Sequence, residues 1–276
     1  MKLIESSYKI IPQETGLDGI YKICEIAGRT AYKSEDKITE GSAKRFVDAL
    51  IKLNHGAVLE HGTVYITLKW WQIFKKLRFV FNPYSRIRKF KYVTTNLRVL
   101  MENDWMNDLE YLCDSTKHHE KRVTVKFICS RSIAQEATRH RVFSFLMESQ
   151  RYVAYNKDKF GGEITYIIPD WVKLRMNDLS EDDFFDCQDK AVKRWFEALR
   201  YAEYEYMGLI GEGLKAEEAR SVLPNDCKTE LVMTGFVKDW EHFFDLRALD
   251  KTGKAHPDIK ALACPLRAEF ILNNYI

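Results

Sequence analysis

The chain has 276 residues, 46% of them apolar and 30% charged, and its 43 Lys and Arg stand against 40 Asp and Glu for a formal net charge of +3. That apolar fraction and that small net charge exclude a disordered chain, and no window of about 18 uncharged apolar residues offers a transmembrane helix. The length allows one large domain or two small ones and is ample for a sizeable core. Met1 to Gln13 alternates polar and apolar residues and lacks a signal-peptide core, so no secretion is expected. The six cysteines, Cys24, Cys113, Cys129, Cys187, Cys227 and Cys264, form no CxxC pair and read as reduced thiols of a cytoplasmic protein.

Taken in chain order, Thr39 to Asn54 predicts a helix, with Ala43, Phe46, Val47, Leu50, Ile51 and Leu53 at helical spacing and Gly56 as a stop. Val64 to Leu68 and Asn96 to Leu100 read as strands. Between them the charge is uneven: from His61 to Met101 there is no acidic residue, while Lys69, Lys75, Lys76, Arg78, Arg86, Arg88, Lys89, Lys91 and Arg98 are all basic. Trp70, Trp71, Phe74, Phe79, Phe81, Tyr84, Phe90 and Tyr92 interleave with them. Such a stretch suits single-stranded nucleic acid, where cations neutralise phosphate and rings stack on bases. It also suits an anionic small ligand or a subunit contact, and the plainest reading is a basic surface.

Val123 to Cys129 alternates cleanly and predicts a strand. Ser132-Ile133-Ala134-Gln135 then has the form of a capping box, which starts a helix at Ser132. Asp183 to Ile210 predicts a long helix, Ala216 to Val222 a short one stopped before Pro224, and Thr229 to Leu246 and Pro257 to Asn273 two more. Strands cluster early and helices late, which argues an α+β chain, and the absence of repeats and Gly/Ser/Pro linkers argues one domain over 1–276. Gly211-Glu212-Gly213-Leu214-Lys215-Ala216 matches GxGxxA, but it follows a helix rather than a strand and reads as a helix stop. His118-His119-Glu120 is not a metal motif and reads as solvated surface.

Residues 130–155 concentrate chemistry. Arg131, Arg139, Arg141 and Arg151 fall close together, with Ser144, Ser149, Tyr152 and Tyr155 as hydroxyl donors. Guanidinium groups bind phosphate through two parallel hydrogen bonds and stack on flat rings, so the segment suits an anionic planar ligand. Cations at Arg139-His140-Arg141 also suit the end of the preceding helix.

Arg139-His140-Arg141, seven residues, then Ser149 is an RHR-x7-S pattern, and here the sequence resembles the flavin-dependent thymidylate synthases. Four further blocks stand in that family's order: Gly28-Arg29-Thr30-Ala31-Tyr32; His55 to His61, with Glu60 before the second histidine; Ala219-Arg220-Ser221-Val222-Leu223-Pro224; and Phe243-Phe244-Asp245-Leu246-Arg247. The resemblance implies a mostly antiparallel sheet with several long helices, a homotetramer, and an enlarged basic segment at about 63–122 that compact relatives lack. It also implies methylation of dUMP to dTMP with methylenetetrahydrofolate as carbon donor, FAD as hydride carrier and NADPH as reductant. By that resemblance His55, Arg139, His140, Arg141, Phe236, Val237, Lys238 and His242 would meet FAD. Glu136, Arg139, Glu148, Ser149, Gln150, Arg151, Arg220 and Arg247 would hold dUMP, and Arg247 would activate the uracil.

The sequence departs from the family in places. Leu146-Met147 stands where many relatives have Asn-Glu, which makes Glu148 the candidate for that glutamate's work. Glu136 stands where a glutamine is common, and Lys254-Ala255-His256 where His-Ala-Gln is expected. Taken one by one, Arg247 could be a helix-end cation, Arg220 an exposed helix residue, His55 a cap and His242 a core histidine. A nucleic-acid-binding protein using residues 69–98 and a flavin-binding relative without methylation are the alternatives.

Overall fold

A computed structural model describes residues 1–150, 155, 162–176 and 184–276. Two short strands open the chain, β1 (Lys2–Ile4) and β2 (Ser7–Ile11), followed by α1 (Gly16–Tyr32), α2 (Ser42–Lys52) and the single turn α3 (Gly56–Leu59). Next come β3 (Thr63–Thr67), α4 (Ile73–Phe81), β4 (Arg86–Arg88), β5 (Tyr92–Asn96) and α5 (Leu97–Glu102). The long strand β6 (Arg122–Ser130) runs into α6 (Arg131–Ala137), and β7 (Ser144–Met147), β8 (Thr165–Ile167) and α7 (Asp170–Lys173) follow. The C-terminal part holds α8 (Lys190–Gly211), α9 (Ala216–Ala219), β9 (Lys228–Phe236), α10 (Val237–Arg247) and α11 (Pro257–Leu272).

The main sheet has the order β2-β6-β9-β7 and every pairing in it is antiparallel, with Val125 opposite Met233 at its centre. Because side chains alternate across a strand, Val123, Val125, Phe127 and Cys129 of β6 join Leu231 and Met233 of β9 on one face. There they pack with Trp240, Phe243, Phe244 and Phe270 from α10 and α11. Trp240 satisfies its buried indole N–H on the Val123 carbonyl at 3.1 Å. The other face carries Thr124, Lys126, Glu230 and Thr234, and α1 lies against it, with Lys126 Nζ 3.4 Å from Thr30 Oγ1. A second sheet, β3-β5-β4, is also antiparallel and shares a second core with α1, α2 and α3. β1 and β8 form a separate parallel pair. The α+β expectation holds, with three sheets among the described residues.

Several sequence boundaries shift for identifiable reasons. Asn96–Leu100 is not a strand: the chain leaves β5 at Asn96, whose side chain accepts the Val99 N–H at 3.0 Å and caps α5. Thr229–Leu246 is not one helix. Its first part is β9, a central strand buried almost throughout, so it lacks the polar alternation that marks a half-exposed strand. The helix after β6 is capped by Ser130, which accepts from Ile133 N at 3.3 Å, so it begins before Ser132. α8 begins at Lys190, where Asp189 accepts from Ala191 N and Val192 N; Asp183, the first residue of the expected helix, lies outside the described residues. Strands are not confined to the first half, since β7, β8 and β9 lie in the second. Gly211 does end a helix, and Gly213 at φ +91° turns the chain toward α9.

Part of the basic stretch is paired with acids that flank it. Asp108 pairs with Lys75 at 2.8 Å and also with Arg78; Arg88 meets Glu120 at 3.5 Å; Arg98 meets Glu102 at 2.6 Å and also Glu60. Lys76 is buried, donating to the Trp70 carbonyl at 3.2 Å. Trp70, Trp71, Phe74, Phe81 and Tyr84 remain exposed. His119 is buried rather than solvated, with Nε2 3.1 Å from the Ile66 carbonyl oxygen and Nδ1 accepting from Thr116 N at 3.1 Å. Among the described residues, no helix is long and apolar enough to cross a membrane.

Candidate functional site

Glu136 lies in the last turn of α6 and Arg247 in the last turn of α10, and the loop between α6 and β7 places His140 between them. Arg247 Nε donates to His140 Nε2 at 3.1 Å, while its Nη1 pairs with the Glu136 carboxylate. A guanidinium has only donors, so His140 Nε2 must accept and the ring is neutral with its proton on Nδ1. Burial, then the charge of Arg247 and of His242, pull the His140 pKa down to about 4. The imidazole packs on Phe243, with ring centres 5.1 Å apart, and the His242 ring is 6.4 Å away. His242 itself is exposed, so it is not a core histidine. Glu136, in the place of a common glutamine, holds Arg247.

The loop is pinned by Phe143, whose ring lies across β9 at Gly235. A Cβ added there would fall 2.3 Å from Phe143 Cδ1, so only glycine lets the ring pass.

A second cleft, of about 370 Å³, collects three of the sequence blocks: Ala31 and Tyr32, then His55 to Val58, then Leu146, Met147 and Ser149. His55 heads α3, but its side chain makes no cap hydrogen bond. The segment after β7 is fixed by its backbone: Glu148 N donates to the Glu230 carbonyl at 2.8 Å and Ser149 N to the Ala31 carbonyl at 3.0 Å. Beside it, Lys228 bridges Glu148 at 2.8 Å and Glu230 at 2.6 Å, and Glu230 also takes Lys33 and Lys126. Burial would raise the Glu230 pKa, but Lys228, Lys126 and Lys33 outweigh it and hold the carboxyl at about 2. Gln150 is buried, with Nε2 donating to Tyr155 Oη at 3.3 Å. Arg151 lies outside the described residues.

A third cleft, of about 460 Å³, has Arg141 and Phe236 among its walls, together with Arg86, Arg98 and Arg122. Arg86 and Arg122 lie over the Phe236 ring, their guanidinium carbons 5.1 and 5.6 Å from its centre. Val237 and Lys238 line a different, shallower cleft with Lys121 and Tyr275. Arg139 is exposed, and Arg220 is half-buried at the start of a 3-10 turn, Arg220–Val222, beside α8. Within one chain, the residues expected at the site therefore lie around three clefts and one hydrogen-bonded group, with Arg139 and Arg220 apart from them.

Sequence reasoning missed Lys33, Lys126, Lys228 and Glu230, although charged residues inside otherwise apolar strands are a usable signal. It also assigned no role to His61. That ring is fully buried, with Nδ1 2.7 Å from Thr234 Oγ1 and Nε2 unpartnered among the described residues; burial, then Arg122, lower its pKa to about 3.

The family model for thymidylate synthase complementing protein (Thy1) matches residues 109–271. Curated relatives carry the name flavin-dependent thymidylate synthase. The Synechocystis protein is 34% identical over 146 residues, covering 51% of this chain and 63% of its own length. The Pyrococcus horikoshii protein is 31% identical over 123 residues, covering 45% and 44%. The chain thus spans about half the length of these two relatives, whereas the Mycobacterium sp. (strain JLS) protein is 24% identical over 269 residues, covering 92% and 78%. Among solved structures, the UMP/dUMP methylase PolB from Streptomyces cacaoi bound with 5-Br dUMP aligns over 99% of this chain and 93% of that one, at 19% identity and a TM-score of 0.47.

Proposed function

The chain belongs to the thymidylate synthase complementing protein (Thy1) family, and from that premise we propose that it methylates dUMP to dTMP. In this reading methylenetetrahydrofolate gives the carbon, FAD carries the hydride and NADPH is the reductant. The observation that carries the reading is the hydrogen bond from Arg247 to His140, which joins two motif elements far apart in the chain.

The donor set fits the phosphates of a flavin dinucleotide: the third cleft offers guanidinium groups suited to an anionic ligand. Arg139, His140, Arg141, Phe236, Val237, Lys238, His242 and His55 would hold it, and when bound it supplies the hydride chemistry. The chain's own work is positioning and charge. Arg247 is held from two sides, by His140 Nε2 and by Glu136, so it is aimed before substrate arrives. A fixed guanidinium stabilises negative charge that develops on the uracil oxygen in the transition state. Neutral His140 accepts from Arg247 without setting a second positive charge against it. Ser149, Gln150 and Arg151 would bind dUMP, with Arg151 and Arg220 on its phosphate, and Glu148 would take the work of the family glutamate.

We read residues 1–276 as one catalytic domain working in the cytoplasm as a homotetramer. Sites shared between copies account for the separation of Arg220, the Ser149 cleft and the Arg141 cleft within one chain. Engagement of Lys75, Lys76, Arg78, Arg88 and Arg98 by the chain itself disfavours nucleic acid as the partner of the basic stretch.

The test is dTMP formation from dUMP, methylenetetrahydrofolate, FAD and NADPH, with flavin uptake followed by absorbance at about 450 nm. A chain that takes up FAD and forms no dTMP refutes methylation and leaves a flavin-binding relative. A folded chain that takes up no FAD refutes both.

A further inference from the structure

The third cleft contains residues that the family motifs do not. One wall comes from the segment that carries the basic stretch: Tyr84 in the turn before β4, Arg86 at its start, and Arg98 in α5. The four arginines around it are not equivalent. Arg122 is half-buried and structural, with donors on the Glu60 carbonyl at 3.0 Å, Thr63 Oγ1 at 3.3 Å and Ser144 Oγ at 3.2 Å. Arg98 is neutralised by Glu60 and Glu102, which line the same cleft. Asp239 is the remaining acid, and burial raises its pKa while Arg86 opposes the rise.

Arg86 and Arg141 differ from these. Both are exposed, and among the described residues neither has a carboxylate within ion-pair distance. Arg86 donates only weakly, to the carbonyls of Pro83 at 3.3 Å and Ser85 at 3.4 Å, while its guanidinium plane is steadied over Phe236. Two guanidinium groups from different elements thus border one cleft of about 460 Å³, which lies within the range of small-molecule sites. Stacking on an aromatic ring leaves the edge donors of a guanidinium free for a phosphate.

We propose that Arg86 acts with Arg141 to bind the diphosphate of a nucleotide in this cleft, the group that FAD and ADP share. This rests on the reading of Arg141 and Phe236 as flavin-nucleotide contacts and adds a residue that the motifs lack. The segment between β3 and β6 then contributes directly to ligand binding, through the strand that brings Arg86 to Phe236.

The experiment titrates the full chain with FAD, followed by quenching of flavin fluorescence, with ADP as competitor and riboflavin as a ligand without phosphate. Arg86→Gln is expected to weaken FAD and ADP by about ten-fold or more, the scale of one charge-assisted hydrogen bond. Arg86→Lys is expected to lose less, and riboflavin affinity and melting temperature should not move. Equal FAD and ADP affinity in Arg86→Gln and the unaltered chain overturns the proposal and leaves the flavin reading standing. Parallel loss of riboflavin and FAD overturns it too, because the residue then acts through the fold. An unaltered chain that binds neither FAD nor ADP overturns the proposal and the flavin reading together.

Discussion

Replacing Glu230 by Gln removes one charge from the centre of a lysine cluster and nearly nothing else. The carboxylate is almost fully buried and held by Lys33, Lys126 and Lys228. Its pKa of about 2 when folded lies well below the value near 4.3 of an unfolded glutamate. A group whose folded pKa is depressed stabilises the chain fully above its unfolded pKa and loses that contribution as pH falls through the folded one. The two values differ enough to give about 3 kcal/mol at pH 7, which matches the cost of breaking a buried ion pair from one side. Urea unfolding of the two chains at pH 7 should differ by about that amount, and the difference should shrink steadily between about pH 4.5 and pH 2. Since Lys228 also holds Glu148, the variant should bind dUMP more weakly even where it remains folded. A difference at pH 7 below about 0.5 kcal/mol, the level of ordinary surface changes, or one that is flat with pH, would refute the account of the cluster.

Arg247→Ala should lower turnover by at least about 100-fold, the scale of one lost electrostatic donor; an unchanged rate in a folded, flavin-loaded chain removes Arg247 from the chemistry. His140 should remain neutral from pH 8 to pH 5, because its folded pKa of about 4 lies below the unfolded value near 6.5. Its stabilising contribution is therefore complete above about pH 6.5 and lost as pH falls through 4; an NMR titration midpoint above 6 contradicts the hydrogen bond from Arg247. Asn96→Ala should cost about 1 kcal/mol in thermal or urea unfolding through loss of the α5 cap, and no change would show that β5 runs on past Asn96.

The sequence was most legible where one face of an element meets water. Val123 to Cys129 alternates because β6 has one apolar and one polar face, and Pro257 to Asn273 shows both its ends. β9 was illegible for the opposite reason. Buried on both faces and followed at once by α10, it reads as one helical pattern from Thr229 to Leu246, although Thr229, Val232, Thr234 and Phe236 favour a strand. The basic stretch misled in another way, because the acids that pair with part of it lie outside it, at Glu60, Glu102, Asp108, Glu110 and Glu120. The motif residues could be located by spacing alone, but their grouping could not. That Glu136 and His140 meet Arg247, while Ser149 joins His55, follows from α10 and α1 lying on opposite faces of the main sheet.

Gly235 gives the loop that carries Arg139, His140 and Arg141 an unusual dependence on a distant strand. The Phe143 ring occupies the space that any side chain at 235 would need. Laboratory evolution of this loop would meet a two-step barrier. Enlarging position 235 first displaces the ring and with it His140 from Arg247, while trimming Phe143 first leaves a void beside Trp240 and Phe243. Only the paired exchange, a smaller residue at 143 with a larger one at 235, keeps the volume constant, so libraries that vary single positions would find this loop closed to redesign while libraries that vary the pair would not.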